Sequence, residues 1–388
     1  MVLAVTNGRV ITPGGVLPGG HVVIDGETIT SVGTGASPVD IDTTVDAGGG
    51  WIAPGFIDVQ INGGHGIDLT NEPQRIDELT TLLPQYGVTA FLPTIITCAP
   101  ATRASALEAW RDRHGATAGT AVALGLHVEG PMLNPIRRGA HPEQLLVAPS
   151  LELIEGWSRE AGVALVTLAP ELPGALDVIA ALIGRGVVVS LGHTDASAGQ
   201  FDAGLAAGAR YVTHLFNGMR PFGHRDPGPV GAALADHGVV AGLICDGIHV
   251  DPVAVRMAWR ALGPQRMNLI TDAVAALGTT VRATAIGSVD VVAGPTGIRT
   301  AAGVLAGSDL SLDRALRNLV AYTACPVDEA VATVTSTPAD LLGLADRGRL
   351  LPGHRGDVTV LDDDLRVVAT IVGGVPSPDA SATSGHGT

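Results

Sequence analysis

The sequence predicts an α/β protein: a (β/α)8 TIM barrel with a small β-sandwich domain built from both chain ends. Three observations predict it. The first 52 residues carry short apolar runs separated by turn signals. From Ile52 the period changes, and eight apolar runs alternate with Ala- and Leu-rich stretches of helical character. Near the C-terminus short β-like runs return. The boundaries that follow are 1–52 and 348–375 for the small domain and 53–347 for the barrel. The stretch 376–388, rich in Ser, Gly and Ala, is expected to be a disordered tail.

In chain order, the N-terminal runs 3–5, 9–11, 21–24 and 28–32 are separated by Asn7-Gly8, Pro13-Gly14-Gly15 and Asp25-Gly26, which read as hairpin turns. The barrel strands are expected at 56–59, 88–92, 121–128, 164–168, 187–191, 211–214, 239–245 and 268–271. Their apolar runs do not alternate, as suits strands buried on both faces. An open doubly wound sheet is the alternative, but no G-x-G-x-x-G opens any helix. Between about 280 and 305 the chain becomes β-like and Gly-rich, and a helix is expected from Leu310. A short helix follows Thr337-Pro338, and Gly348-Arg349-Leu350 and 357–361 return to strand character.

Composition narrows the function. Hydrophobic residues make up 46% of the chain, enough for a large core, and aromatics only 3%, so that core is aliphatic. The formal charge of -15 argues against nucleic acid or an anionic membrane as partner. All 23 basic residues are Arg. Without lysine there is no Schiff base, no P-loop lysine and no carbamylated-lysine metal bridge. Cys98, Cys245 and Cys325 are widely spaced and odd in number, so reduced thiols in a cytoplasmic protein are expected. The N-terminus shows no signal-peptide pattern, and no apolar run reaches membrane-spanning length.

The chemistry of such a barrel lies at the C-terminal ends of its strands. There the sequence places Gln60 and Asn62, Glu129, His193, His214, Asp246 and His249, and Asp272. Glu129, His193 and His214 form a set of one carboxylate and two imidazoles. Three protein ligands with a fourth position open is the catalytic pattern for Zn²⁺, and the same donors suit Fe²⁺, Mn²⁺ or Co²⁺. Any one of these histidines alone reads better as a hydrogen-bonded structural residue; three candidates at three strand ends do not. Asp272 could merely cap the next helix, but beside a metal it is placed to carry a proton. His141, Asn217, Arg225 and His249 singly read as solvated loop residues, and together they could bind an anion. Arg225 leads that group, because guanidinium matches phosphate as a fork.

The motifs carrying these residues resemble the amidohydrolase superfamily, and within it the N-acetylglucosamine-6-phosphate deacetylases. They are Gln60-Ile61-Asn62-Gly63, His127-Val128-Glu129-Gly130-Pro131, Gly139-Ala140-His141, Leu191-Gly192-His193-Thr194, Thr213-His214-Leu215-Phe216-Asn217-Gly218-Met219, Asp246-Gly247-Ile248-His249 and Thr271-Asp272-Ala273. Ala53-Pro54-Gly55-Phe56-Ile57-Asp58 and Pro352-Gly353 with Gly356-Asp357-Val358 flank them. The resemblance implies that Glu129, His193 and His214 bind one divalent ion per chain and that Asp272 is the catalytic acid/base. It implies that Ala140, His141, Asn217, Gly218, Arg225, Asp246, His249, Leu305, Ala306 and Gly307 contact a phosphorylated amino sugar. It also implies a homodimer, in which Arg225 or His249 can reach the neighbouring subunit's site. Most of the superfamily has His-x-His after the first strand, where a second metal sits; here it is Gln60-x-Asn62. Amide oxygens are weak ligands, so one tight ion is expected, with Gln60 at most a loose contact to a second. The rival readings are another amidohydrolase, such as a cyclic-amide hydrolase or a deaminase, and an inactive barrel acting as a binding protein.

Overall fold

The computed structural model describes residues 1–35, 39–115 and 117–378. β1 (Val2–Thr12), β2 (Gly15–Asp25) and β3 (Thr28–Thr34) form an antiparallel meander, turning at the expected Gly14-Gly15 and Asp25-Gly26. Asn7-Gly8 is not a turn, contrary to expectation. It is a bulge inside β1, where the register slips on both sides of Gly8 and Asn7 takes φ 56°. β4 (Thr43–Asp46) and β5 (Trp51–Pro54) then pair parallel with β1.

The barrel strands are β6 (Phe56–Ile61), β7 (Val88–Ile96), β8 (Leu126–Glu129), β9 (Val163–Leu168), β10 (Val188–Leu191), β11 (Tyr211–Val212), β12 (Val240–Ile244) and β13 (Met267–Ile270). Each pairs in parallel with the next. The ring closes through a parallel bridge between Ile61 and Ala273 and a bond of 2.9 Å from the Asp272 N–H to the Gln60 carbonyl. The unbroken strand expected at 121–128 is split into Val122–Ala123 and β8. Between them Gly125 takes φ 138°, and a Cβ there would stand 2.6 Å from the Ala164 methyl.

Helices α1 (Ile76–Leu82), α2 (Pro100–Arg111), α3 (Ala175–Gly184), α4 (Ala198–Ala206), α5 (Gly228–Ala235) and α6 (Pro252–Arg266) follow their strands on the outside. On α3, Ala175, Val178, Ile179 and Leu182 are buried at spacings 0, 3, 4 and 7, the stripe that a helix lays on a barrel. α4 starts in a capping box of Ser197 and Gln200. The connection from β8 to β9 has no α-helix, only short 3₁₀ turns at Pro135–Arg137 and Glu143–Leu145. Its prolines, 131, 135, 142 and 149, lack the amide donors a helix needs.

After β13 an antiparallel three-stranded sheet is inserted: β14 (Ala283–Ile286), β15 (Val289–Gly294) and β16 (Gly297–Thr300). Its inner face packs Ile286, Val291 and Ile298 on Ile96, Val274 and Ala306. Asp68 accepts the Gly287 N–H at 2.7 Å and ties the first turn of the insertion to the barrel. Helices α7 (Leu312–Thr323), α8 (Val327–Ala332) and α9 (Ser336–Leu342) complete the wall. Residues 348–350 are not a strand, contrary to expectation. Arg349 instead grips Asp340 at two points, 2.8 and 2.7 Å, and Leu350 is buried in the small-domain core.

β17 (Val358–Leu361) pairs antiparallel with β5, and β18 (Val367–Val372) and β19 (Val375–Pro376) extend the sheet. The core of this sheet takes Leu3, Val5, Val22, Ile24 and Ile52 from one end of the chain and Val358, Val360 and Ile371 from the other. The Ser377 N–H reaches the Thr370 carbonyl at 2.8 Å, so the ordered chain runs past Pro376. The remainder of the expected tail, 379–388, lies outside the described residues. Among the described residues no helix is long and apolar enough to cross a membrane.

Candidate metal and catalytic site

Glu129 ends β8, and His193 and His214 stand just beyond β10 and β11. All three are buried. His214 Nε2 lies 3.1 Å from Glu129 Oε1 and 3.1 Å from His193 Nε2, and His193 Nε2 lies 3.3 Å from the same oxygen. Three ligand atoms thus face one point, within 4.8 Å of one another. The His193 Nδ1–H donates to the Arg137 carbonyl at 2.8 Å, which leaves the Nε2 lone pair turned inward. The Glu129 carboxyl is held well below its ordinary range: burial opposes ionisation, but the imidazoles of His193 and His214 against it outweigh burial. A buried carboxylate facing two imidazole nitrogens fits a divalent ion of the zinc class.

Asp272 follows β13 and is buried across the barrel mouth. Its Oδ1 accepts from Asn62 Nδ2 at 2.7 Å and Gln60 Nε2 at 3.2 Å. The same Gln60 amide reaches Glu129 Oε1 at 3.2 Å, so it bridges the two carboxylates. Burial, then the charge of Glu129, pushes the Asp272 carboxyl up to about 6. His193, His214 and Asp272 all take positive φ, at 47°, 28° and 48°. Residues with a Cβ hold that conformation only where surroundings enforce it, and such positions gather at functional sites.

A cavity of about 180 Å³ opens above these groups. Of the expected residues, Glu129, Ala140, His141, His193, His214, Asn217, Gly218, His249, Asp272, Leu305, Ala306 and Gly307 line it. His141 Nδ1 pairs with the Thr97 hydroxyl at 2.9 Å, and its Nε2 lies 4.0 Å from Glu129 Oε2. Burial, then His193, pushes the His141 imidazole down to about 3, so it is neutral. Gly218 has φ 59°, and a Cβ there would press within 2.8 Å of His193 Nδ1.

Two expected contacts stand elsewhere. Asp246 does not line the cavity; it stands behind His249, meeting its Nδ1 at 2.6 Å and capping the backbone N–H groups of Ile248 and His249. Arg225 is exposed and outside the cavity of its own chain. The apolar wall, Ile96, Ile244, Ile286 and Val304, carried no signal in the sequence. Ile286 arrives from the inserted sheet, which pattern alone cannot place over the mouth. The hold of Asn62 on Asp272 was also missed, although both follow strands that a closed barrel must bring side by side.

A model of the amidohydrolase family matches residues 51–377, the class that this barrel and its strand-end ligands define. The chain is 39% identical to the N-acetylglucosamine-6-phosphate deacetylase of Rattus norvegicus over 348 residues, covering 86% of this chain and 85% of that one. It is 34% identical to that of Bacillus subtilis over 374 residues, covering 94% of each. The structure of a substituted N-acetyl-D-glucosamine-6-phosphate deacetylase from Mycobacterium smegmatis, in complex with N-acetyl-D-glucosamine 6-phosphate, matches with TM-score 0.88 at 33% identity. That match covers 97% of this chain and 99% of the other. The chain belongs to the amidohydrolase family, within its N-acetylglucosamine-6-phosphate deacetylase branch.

Proposed function

We propose that this chain hydrolyses N-acetyl-D-glucosamine 6-phosphate to D-glucosamine 6-phosphate and acetate, in amino-sugar catabolism and cell-wall sugar recycling. The observation that carries the reading is the convergence of Glu129, His193 and His214 with Asp272 at one barrel mouth, in a chain whose relatives bear that activity in their names. Glu129, His193 and His214 would hold one divalent ion, Zn²⁺ first, with Fe²⁺, Mn²⁺ and Co²⁺ as alternatives. Such an ion supplies Lewis acidity, which polarises an amide carbonyl and eases the deprotonation of water. A single ion is supported by Gln60, whose amide N–H groups, not its oxygen, face the two carboxylates.

Asp272 takes a proton from the attacking water as the new C–O bond forms. It returns that proton to the amide nitrogen as the C–N bond breaks, so the amine leaves neutral. A carboxyl pushed to about 6 suits both directions of transfer near neutral pH. Asn62 and Gln60 hold its Oδ1 while Oδ2 stays free for the proton. His141, neutral and anchored through Nδ1, presents its other nitrogen towards the centre, where it can steady the developing oxyanion.

The sugar phosphate is assigned to Ala140, Asn217, Gly218, Arg225, His249, Leu305, Ala306 and Gly307, with Asp246 acting through His249. Arg225 lies outside its own cavity, which favours its supply by the neighbouring chain of a homodimer. The cytoplasm is the proposed setting, in keeping with three buried free cysteines. A substrate panel tests the reading. Acetate release should favour N-acetyl-D-glucosamine 6-phosphate over N-acetyl-D-glucosamine by at least ~100-fold in kcat/KM, as loss of a charge-assisted phosphate clamp implies. Equal turnover of the two, or faster turnover of a cyclic amide, contradicts it.

A further inference from the structure

We infer that Glu171 is a positioning residue for the metal centre, holding the backbone of His193 in its left-handed conformation and so setting the affinity and geometry of the site. The inference rests on the metal reading of Glu129, His193 and His214. β9 is followed directly by Ala169-Pro170-Glu171, and Glu171 does not line the cavity. Its carboxylate faces the two loops that flank it. Oε1 accepts from Asn134 Nδ2 at 2.8 Å and from the Asp195 N–H at 2.6 Å, and Oε2 accepts from the Thr194 hydroxyl at 2.5 Å.

Every one of those partners acts on His193. The Asn134 N–H donates to the His193 carbonyl at 2.9 Å. Thr194 and Asp195 are the next two residues of the chain, so Glu171 fixes where the backbone goes on leaving the ligand. Asp195 in turn binds Arg137 Nε at 2.7 Å, and the Arg137 carbonyl is the acceptor that orients the imidazole through Nδ1. One carboxylate thus controls the carbonyl, the exit direction and, through Asp195, the ring orientation of the ligand. With φ 47°, His193 would relax without such a frame. Partners behind a ligand commonly govern affinity for the ion.

The test uses full-length protein, Glu171→Ala and Thr194→Val, the second removing one of the three bonds to Glu171 together with the bond that the Thr194 hydroxyl accepts from the Ala196 N–H at 3.0 Å. Zinc affinity is measured by chelator competition, Co²⁺ coordination by its visible absorption, and the fold by melting of the metal-free protein. Zinc binding should weaken by about 10–100-fold in Glu171→Ala and to a smaller degree in Thr194→Val, with an altered Co²⁺ spectrum in both. Metal-free Thr194→Val should stay folded and melt cooperatively, below the wild type because the buried Ala196 N–H and Glu171 Oε2 each lose a partner. Wild-type affinity and an unchanged spectrum in Thr194→Val and in any folded Glu171→Ala would make Glu171 merely structural and overturn the inference. Should Glu171→Ala not fold, the Thr194→Val titration decides. A wild-type chain that takes up neither ion overturns the metal reading itself, and is told apart because acetate release is not the readout.

Discussion

Asp272 shows how much of this site depends on surroundings. Its carboxyl is buried beside the charge of Glu129, yet two amides, Asn62 and Gln60, bond only one of its oxygens. The other oxygen keeps a lone pair for the proton. Asp272→Asn preserves shape but cannot accept that proton. We expect kcat to fall by about 10²–10⁴-fold with zinc content unchanged; near-normal kcat in steady-state assays would remove Asp272 from the reaction. The candidate ligands were legible because each His or Glu follows an apolar run that must be a buried strand. What stayed hidden were partners distant in sequence. Asn62 and Asp272 lie 210 positions apart, and only barrel closure makes them neighbours. Asp246 read as a ligand contact, but a carboxylate three residues before a histidine can equally orient its ring, as it does here.

At the scale of elements, the alternation of apolar runs with helical stretches was readable because barrel strands are buried on both faces. Not every end was: β10 stops at Leu191 as expected, but β11 stops at Val212, short of the expected 214, where His214 takes its left-handed turn. The inserted sheet was visible as β-like, but its place over the mouth depends on packing on Ile96 and Val274. The seam between β6 and β13 carries a second buried carboxyl. Asp58 accepts from the Thr271 hydroxyl at 2.6 Å, and burial pushes it up to about 7 from 3.8. The raised value means that the folded chain binds this proton more tightly than the unfolded one. Its stabilisation is full below pH 3.8 and is lost as pH rises to about 7, by about 1.4 kcal/mol per pH unit for one proton. In Asp58→Asn this loss is absent. The melting temperature of the variant relative to wild type should therefore climb between pH 5 and pH 7 and level off above. A difference independent of pH would show that Asp58 is ionised throughout.

At the scale of the molecule, the two chain ends share one sheet, with β5 and β17 side by side at the entrance to the barrel. The charge of -15 makes a phosphorylated substrate depend on local cations, and Arg225 is one of two arginines in the loop after β11; the other, Arg220, is paired with Asp195 and Asp226. The position of Arg225 outside its own cavity gives the proposed homodimer a specific consequence. Arg225→Ala should raise KM for the phosphorylated sugar about 10–100-fold, as loss of one charge-assisted contact implies. Mixing it with inactive Asp272→Asn under exchange of subunits should then restore low-KM turnover at up to half of the mixed sites, since one site per mixed dimer is whole. No recovery on mixing would place Arg225 in its own chain's site.

The most direct measurement is acetate release from N-acetyl-D-glucosamine 6-phosphate by purified protein, before and after removal of metal by chelation, with the ion content counted. The account predicts about one divalent ion per chain, equimolar acetate and D-glucosamine 6-phosphate, loss of both on chelation and their return with added Zn²⁺. Undiminished release from protein shown to be free of metal would contradict it.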